Sequence, residues 1–229
     1  MEAPTIPTCK RLLLAIGLLT APAAALADTG ASTGGLSAYL KARVADADGR
    51  VEIATENYAR VLAVAPDPVV AIRAYREAME AGDMALATRA AAVMTSAGVA
   101  PADAALLPLA EAARKRDAKA TSAAIGVLAQ GPLVVLAPSL YAWVAHAERR
   151  DPAQALAAAG RDPVAGRFAT ETRARLVSAP PGQPLGIGIA DVLAGLAADL
   201  VTGEPSPLSI ALAQAATRAD PDKIGRAHV

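Results

Sequence analysis

Three places in the chain carry residue types that could do chemistry. His146 could act as a general base, because an imidazole titrates near neutrality. It shares a helical stretch with Tyr141 and Trp143, but local spacing puts no Cys, Ser or carboxylate pair beside it, so it reads as a packing histidine. Gly186-Ile187-Gly188 has the outline of a phosphate loop. It lacks the third glycine of a dinucleotide fingerprint and the Gly-Lys-Ser/Thr of a P-loop, and no strand pattern precedes it. It reads instead as a flexible lead-in to an apolar helix, following Pro180-Pro181-Gly182-Gln183-Pro184. Arg114-Lys115-Arg116 with Lys119 is the densest basic cluster. At a turn between helices it reads as solvated surface, with an acidic partner as the alternative. The single cysteine, Cys9, lies in the leader, which denies a zinc site its usual thiolates. No catalytic, metal or cofactor-binding set emerges, and the expectation is a protein that is not an enzyme.

The elements that hold these residues read as helices. Hydrophobic residues fill 54% of the 229 positions, aromatics only 3%, and 61 positions are alanine. Alanine is the best helix former and lets helix backbones approach closely. β-Branched and aromatic residues are too sparse for a sandwich or barrel. With 22 Lys+Arg against 22 Asp+Glu the net charge is +0, which argues against a nucleic-acid binder held by phosphate contacts. Four Tyr, one Trp and one Phe are too few for a base-stacking platform.

Both termini read as non-structural. Lys10 and Arg11 precede an apolar run, Leu12 to Ala25, and Ala25-Leu26-Ala27 offers a small-x-small cleavage site. Residues 1–27 therefore read as a secretory signal cut between Ala27 and Asp28, and the run is short of the about 20 residues that span a bilayer. The mature protein is expected in the periplasm, with no stable membrane span. Residues 28–35, with Gly30 to Gly35, read as a flexible lead-in. At the other end, Ile224 to Val229 resemble one translated frame of a short-read sequencing adapter. Residues 223–229 are read as an artefactual tail, so His228 carries no weight, and the native chain is expected to continue beyond Asp222 with further helix pairs.

Between these ends, apolar positions recur at helical spacing and are broken by Gly, Asp or Pro. The pattern predicts helices over 36–48, 51–65, 68–81, 84–97, 102–114, 118–130, 134–148, 152–159, 163–178, 185–202 and 206–219. Pro68, Pro152 and Pro163 each follow an Asp, which sets an N-cap acceptor before a proline at the first helical position. An offset of 33 residues aligns Ala38 with Ala71, Arg43 with Arg76, Ala45 with Ala78, Gly49 with Gly82 and Thr55 with Thr88. Each unit is helix, Gly turn, helix, and one such pair cannot bury its apolar face alone.

The unit Gly35–Pro68 resembles a tetratricopeptide repeat. Ala38, Ala45, Gly49, Ala54, Tyr58 and Pro66 stand at its packing, turn and closing positions, while Ala38 and Ala42 replace the usual Trp and Gly. The second unit keeps Ala71, Ala78, Gly82 and Ala87, and beyond Gly131 the register is lost. The Gly-x-x-Ala-Tyr-Leu-x-Ala-Arg opening, Gly35 to Arg43, is similar to exported Ala-rich repeat proteins of alphaproteobacteria. The resemblance implies an all-α right-handed α-solenoid, with repeats over 36–131 and degenerate helix pairs over 132–222. It also implies that Tyr39, Arg43 and Arg76 line the inner surface, where Arg43 and Arg76 would form a basic ladder beside Glu80. The expected function is a scaffold that binds a protein or peptide partner. The alternatives are the helical scaffold of a larger enzyme and a structural spacer in an envelope complex. Tyr58 is expected to be buried, and the last helix to expose Leu208, Ile210, Leu212 and Ala215 and so drive self-association.

Overall fold

The computed structural model describes residues 28–201 and 205–222. Among them every regular element is helical: α1 (Asp28–Ala47), α2 (Val51–Val64), α3 (Pro68–Ala81), α4 (Met84–Ser96), α5 (Leu106–Arg114), α6 (Ala118–Leu128), α7 (Ala137–Ala147), α8 (Ala153–Ala157), α9 (Pro163–Ser178), α10 (Leu185–Leu200) and α11 (Pro207–Ala219). Short 3-10 turns, Ala102–Ala105 and Pro132–Leu136, lead into α5 and α7. The fold is all-α, as the composition requires.

Aspartates start the helices. Asp67 accepts hydrogen bonds from the backbone N–H of Val69 and Val70, and Asp162 from those of Val164 and Ala165, each ahead of a proline at the first helical position. Asp83 and Asp117 cap α4 and α6 in the same way. Left-handed residues end the odd-numbered helices. Positive φ occurs at Gly49, Gly82, Arg116, Arg149 and Gly182, which follow one another at intervals of 33, 34, 33 and 33 residues. At the first four the next N–H reaches back across the turn: Arg50 to the Ala45 carbonyl, Asp83 to Ala78, Asp117 to Ala112 and Arg150 to Ala145. That is the Schellman closure, with an alanine as acceptor each time. The 33-residue period legible in the first two units therefore runs on to residue 182.

Sequential helices pack as neighbours from α1 to α4 and from α5 to α8. Alanines make the seams, with Ala42, Ala54, Ala71, Ala74, Ala78, Ala87 and Ala90 fully buried. The aromatics go inside: Tyr58, Tyr75, Trp143 and Phe168 are all buried, so the expectation for Tyr58 is met. The last hairpin departs from nearest-neighbour order. α9 and α10 run antiparallel, joined by the ion pairs Arg167–Asp199 and Arg175–Asp191, but α10 packs on α5 and α7, and α11 packs on α3 and α5. The odd-numbered helices are thus bridged by the chain's own C-terminal hairpin. Arg218 of α11 fastens it to Glu111 of α5 at 2.8 Å.

Three expectations are corrected. Helix α1 begins at Asp28, so residues 28–35 are helical and no flexible lead-in precedes Leu36. An existing helix extends at one hydrogen bond per residue, which outweighs about 1 kcal/mol per glycine. Gly186 and Gly188 lie buried inside α10. A Cβ at Gly188 would overlap the Trp143 indole, and one at Gly186 would overlap the Ala219 carbonyl. These glycines permit close helix approach; they are not a hinge. Finally, α11 does not expose its apolar face. Leu212 and Ala215 are fully buried and Leu208 and Ile210 half-buried, because the hairpin folds inward and α3, α5 and α10 cover them. The basis for self-association through this helix disappears with that exposure.

Candidate functional site

Two neighbouring constellations on α1 and α3 hold the residues singled out from the sequence. The first centres on Asp46, near the end of α1. It accepts a hydrogen bond from the Tyr58 hydroxyl at 2.9 Å, and Arg73 and Arg43 approach the same carboxylate at 3.5 and 3.9 Å. Tyr39, half-buried, sets its ring edge-on to Tyr58 with centroids 6.5 Å apart. Glu77 of α3 is buried against this group and shares a hydrogen bond with Asp46. Burial pushes the Glu77 carboxyl above the usual carboxylate range, and the charges of Asp46 and Glu80 push it further, against the opposing pull of Arg76. Burial, then Asp46, likewise drives the Tyr58 hydroxyl well above the usual tyrosine range.

The second constellation is a cavity of about 480 Å³ between α3, α4, the loop after α4 and the start of α11. Its walls are apolar, with Ile72, Met79, Met94, Val99, Pro207 and Ile210. Methionine side chains adapt their shape to what they touch, which suits a cavity that receives variable apolar groups. The Tyr75 hydroxyl donates to Asp103 at 2.9 Å inside it, and burial raises that hydroxyl far above its ordinary range. Arg76 and Glu80, both exposed, stand at the mouth.

The four candidate residues therefore divide into two sets. Arg76 and Glu80 come together at the cavity mouth. Tyr39 and Arg43 come together at the α1–α3 seam, where Arg43 faces Asp46. Arg43 and Arg76 do hold equivalent positions in successive units, but only Arg76 lacks an ion-pair partner among the described residues. Sequence reasoning passed over Asp46, Glu77, Tyr75 and Asp103. Glu77 carried a signal: it lies in register with the buried Val70, Ala74 and Ala78, where an acidic residue interrupts an apolar face.

The other candidates fall elsewhere. His146 is half-buried, edge-on to Trp143 with centroids 5.8 Å apart. In the basic cluster, Arg114 and Lys115 pair with Glu111 at 2.7 and 3.2 Å, and Arg116 is the left-handed turn residue. Together with Arg218 these cations hold the Glu111 carboxyl down at about 2. The signal segment and its cleavage residue Ala27 lie outside the described residues, as does the tail from 223; Asp28 opens α1. Among the described residues no helix is long and apolar enough to cross a membrane. Comparison with protein-family models, with curated proteins and with solved structures finds no match.

Proposed function

We propose that this is an exported, non-enzymatic helical-repeat protein of tetratricopeptide type that binds a protein or peptide partner in the periplasm. The recurrent left-handed turn at 33 to 34 residues, closed each time on an alanine carbonyl, supports the repeat reading through α8. The leader with its Ala25-Leu26-Ala27 site supports export. The observation that carries the binding reading is the apolar cavity beneath Arg76 and Glu80. Apolar walls with a few polar groups at the rim are the usual composition of a recognition site. In the hairpin's lane, α10 and α11 cover α5, α7 and part of α3, so binding is assigned to the remaining surface of α1 and α3.

Capture from periplasmic extract tests the reading. The wild-type chain and the Arg76→Ala and Met79→Ala variants are used as baits, and each melt is recorded beside the recovery. Arg76 is exposed, so its replacement should leave melting unchanged and reduce recovery of the captured partner about tenfold, as expected for losing one charge-assisted contact. Equal recovery by wild type and Arg76→Ala would remove the cavity mouth from the binding surface.

A further inference from the structure

The C-terminal hairpin is laid across the odd-numbered helices in steps. α10 covers α7 and α5; α11 covers α5 and α3. The next step along the same course is α3 and α1, and no described residue covers it. That lane is apolar. Leu36 and Leu40 lie one turn apart on α1, opposite its buried Ala38, Ala42 and Ala45, and are 59% and 57% exposed. Val69 and Ile72 share one face of α3 and are 61% and 41% exposed. The offset of 33 makes Leu36 the counterpart of Val69 and Tyr39 that of Ile72, so the two stripes are equivalent faces of successive units. Isolated exposed leucines need no explanation, but a patch continued across two helices does.

The charges on the lane are also left open. Arg43 and Arg73 face Asp46, and Arg218 faces Glu111. Arg76 and Glu80, one turn apart on the same face as Ile72, have no ion-pair partner among the described residues. The floor of the lane consists of helices whose backbone groups bond within themselves. An extended peptide laid there would find no backbone partners for its N–H and C=O groups, whereas a helix arrives with its own satisfied. α11 already shows that a helix fits beside this position, with Gln214 packed 3.4 Å from where a Cβ at Gly82 would sit.

Resting on the partner-binding reading above, we propose that the occupant is an amphipathic helix of a partner protein, docked across α1 and α3 alongside α11. Its aliphatic face covers Leu36, Leu40, Val69 and Ile72. An acidic side chain meets Arg76, and a basic one, a turn away, meets Glu80.

The test is selection from a displayed library of random peptides about 20 residues long, roughly the length that crosses a small domain as a helix, on the full chain. Enriched peptides should show apolar residues at helical spacing with an acid and a base one turn apart. They should gain helicity on binding, measured by circular dichroism. Leu40→Lys with Ile72→Lys should weaken them about 100-fold, a decade per apolar anchor, with melting unchanged because both positions are exposed. The charge swap Arg76→Glu with Glu80→Arg should favour peptides with the acid and base exchanged. Extended peptides that need Arg76 but ignore Leu40 would overturn helix docking and leave partner binding at the cavity standing. Failure of any peptide to enrich, or enriched peptides indifferent to all four substitutions, would overturn both. A concentration-dependent dimer of the wild type that Leu40→Lys dissolves would replace the partner helix with a second copy of this chain and overturn the proposal.

Discussion

Replacing Gly188 by alanine sets two effects of opposite sign against each other. In an exposed helix interior the change stabilises by about 1 kcal/mol, because glycine has more backbone freedom to lose. At Gly188 the new methyl would overlap the Trp143 ring. The indole cannot swing aside freely: Trp143 is 2% exposed, and His146 stands edge-on to it at 5.8 Å. Overpacking of this kind costs about 1–3 kcal/mol, and a clash with a wedged indole belongs at or above the top of that range. The net loss is then about 2 kcal/mol after the helix gain, or roughly 4–8 °C in melting temperature for a chain of this size. Gly166→Ala in α9 is the control, since no atom lies within 4 Å of its Cβ position. It should melt about 2–4 °C above wild type. A Trp143→Leu background, itself destabilised, should absorb the Gly188→Ala methyl at no further loss, giving a coupling of about 2 kcal/mol in the double-mutant cycle. If Gly188→Ala melts at or above wild type, the close approach of α10 to α7 is wrong, and with it the placement of the C-terminal hairpin.

Two further outcomes follow from the turns and the buried carboxyls. Arg149 adopts φ 57 where Gly49, Gly82 and Gly182 stand in equivalent turns, so Arg149→Gly should stabilise by about 0.5–1 kcal/mol, read as a higher urea midpoint; a lower midpoint would refute the strain. Stability should peak in mild acid. Glu77 is raised from 4.5 in the fold, so the folded state binds more protons than the unfolded one just above that value, and stability falls as pH rises through the raised value. Glu111 is lowered from 4.5 to about 2, so its contribution is present above 4.5 and is lost as pH falls toward 2. Glu77→Gln should flatten the neutral side of the profile and Glu111→Gln the acid side, each measured by melting across pH 2–8; an unchanged profile in either variant would refute the corresponding assignment.

Much of this fold is legible in sequence because its signals are local. An aspartate before a proline caps a helix through bonds spanning three residues, and a glycine ends one through bonds spanning five, so the bounds of α3 and α9 can be read directly. The alanine seams and the burial of Tyr58 follow from helical spacing alone. Where the local signal is weak, sequence reasoning loses the thread: arginine favours right-handed backbone, so Arg116 and Arg149 hid the continuation of the period that their turns reveal. The candidate surface was half legible. Equivalent positions put Arg43 and Arg76 on corresponding faces, but only the packing of α1 on α3 shows Arg43 facing Asp46 while Arg76 is left open. The C-terminal hairpin was decided by tertiary structure entirely. The apolar face of α10 would suit many surfaces, and what selects α5 and α7 is contact between residues far apart in the chain. Gly188 admits Trp143, Gly186 admits Ala219, and Arg218 reaches Glu111 across 107 residues. Helix propensity and capping act within a turn or two and carry no information at that range. Which faces meet is settled by the shape and charge that remain once the helices have formed.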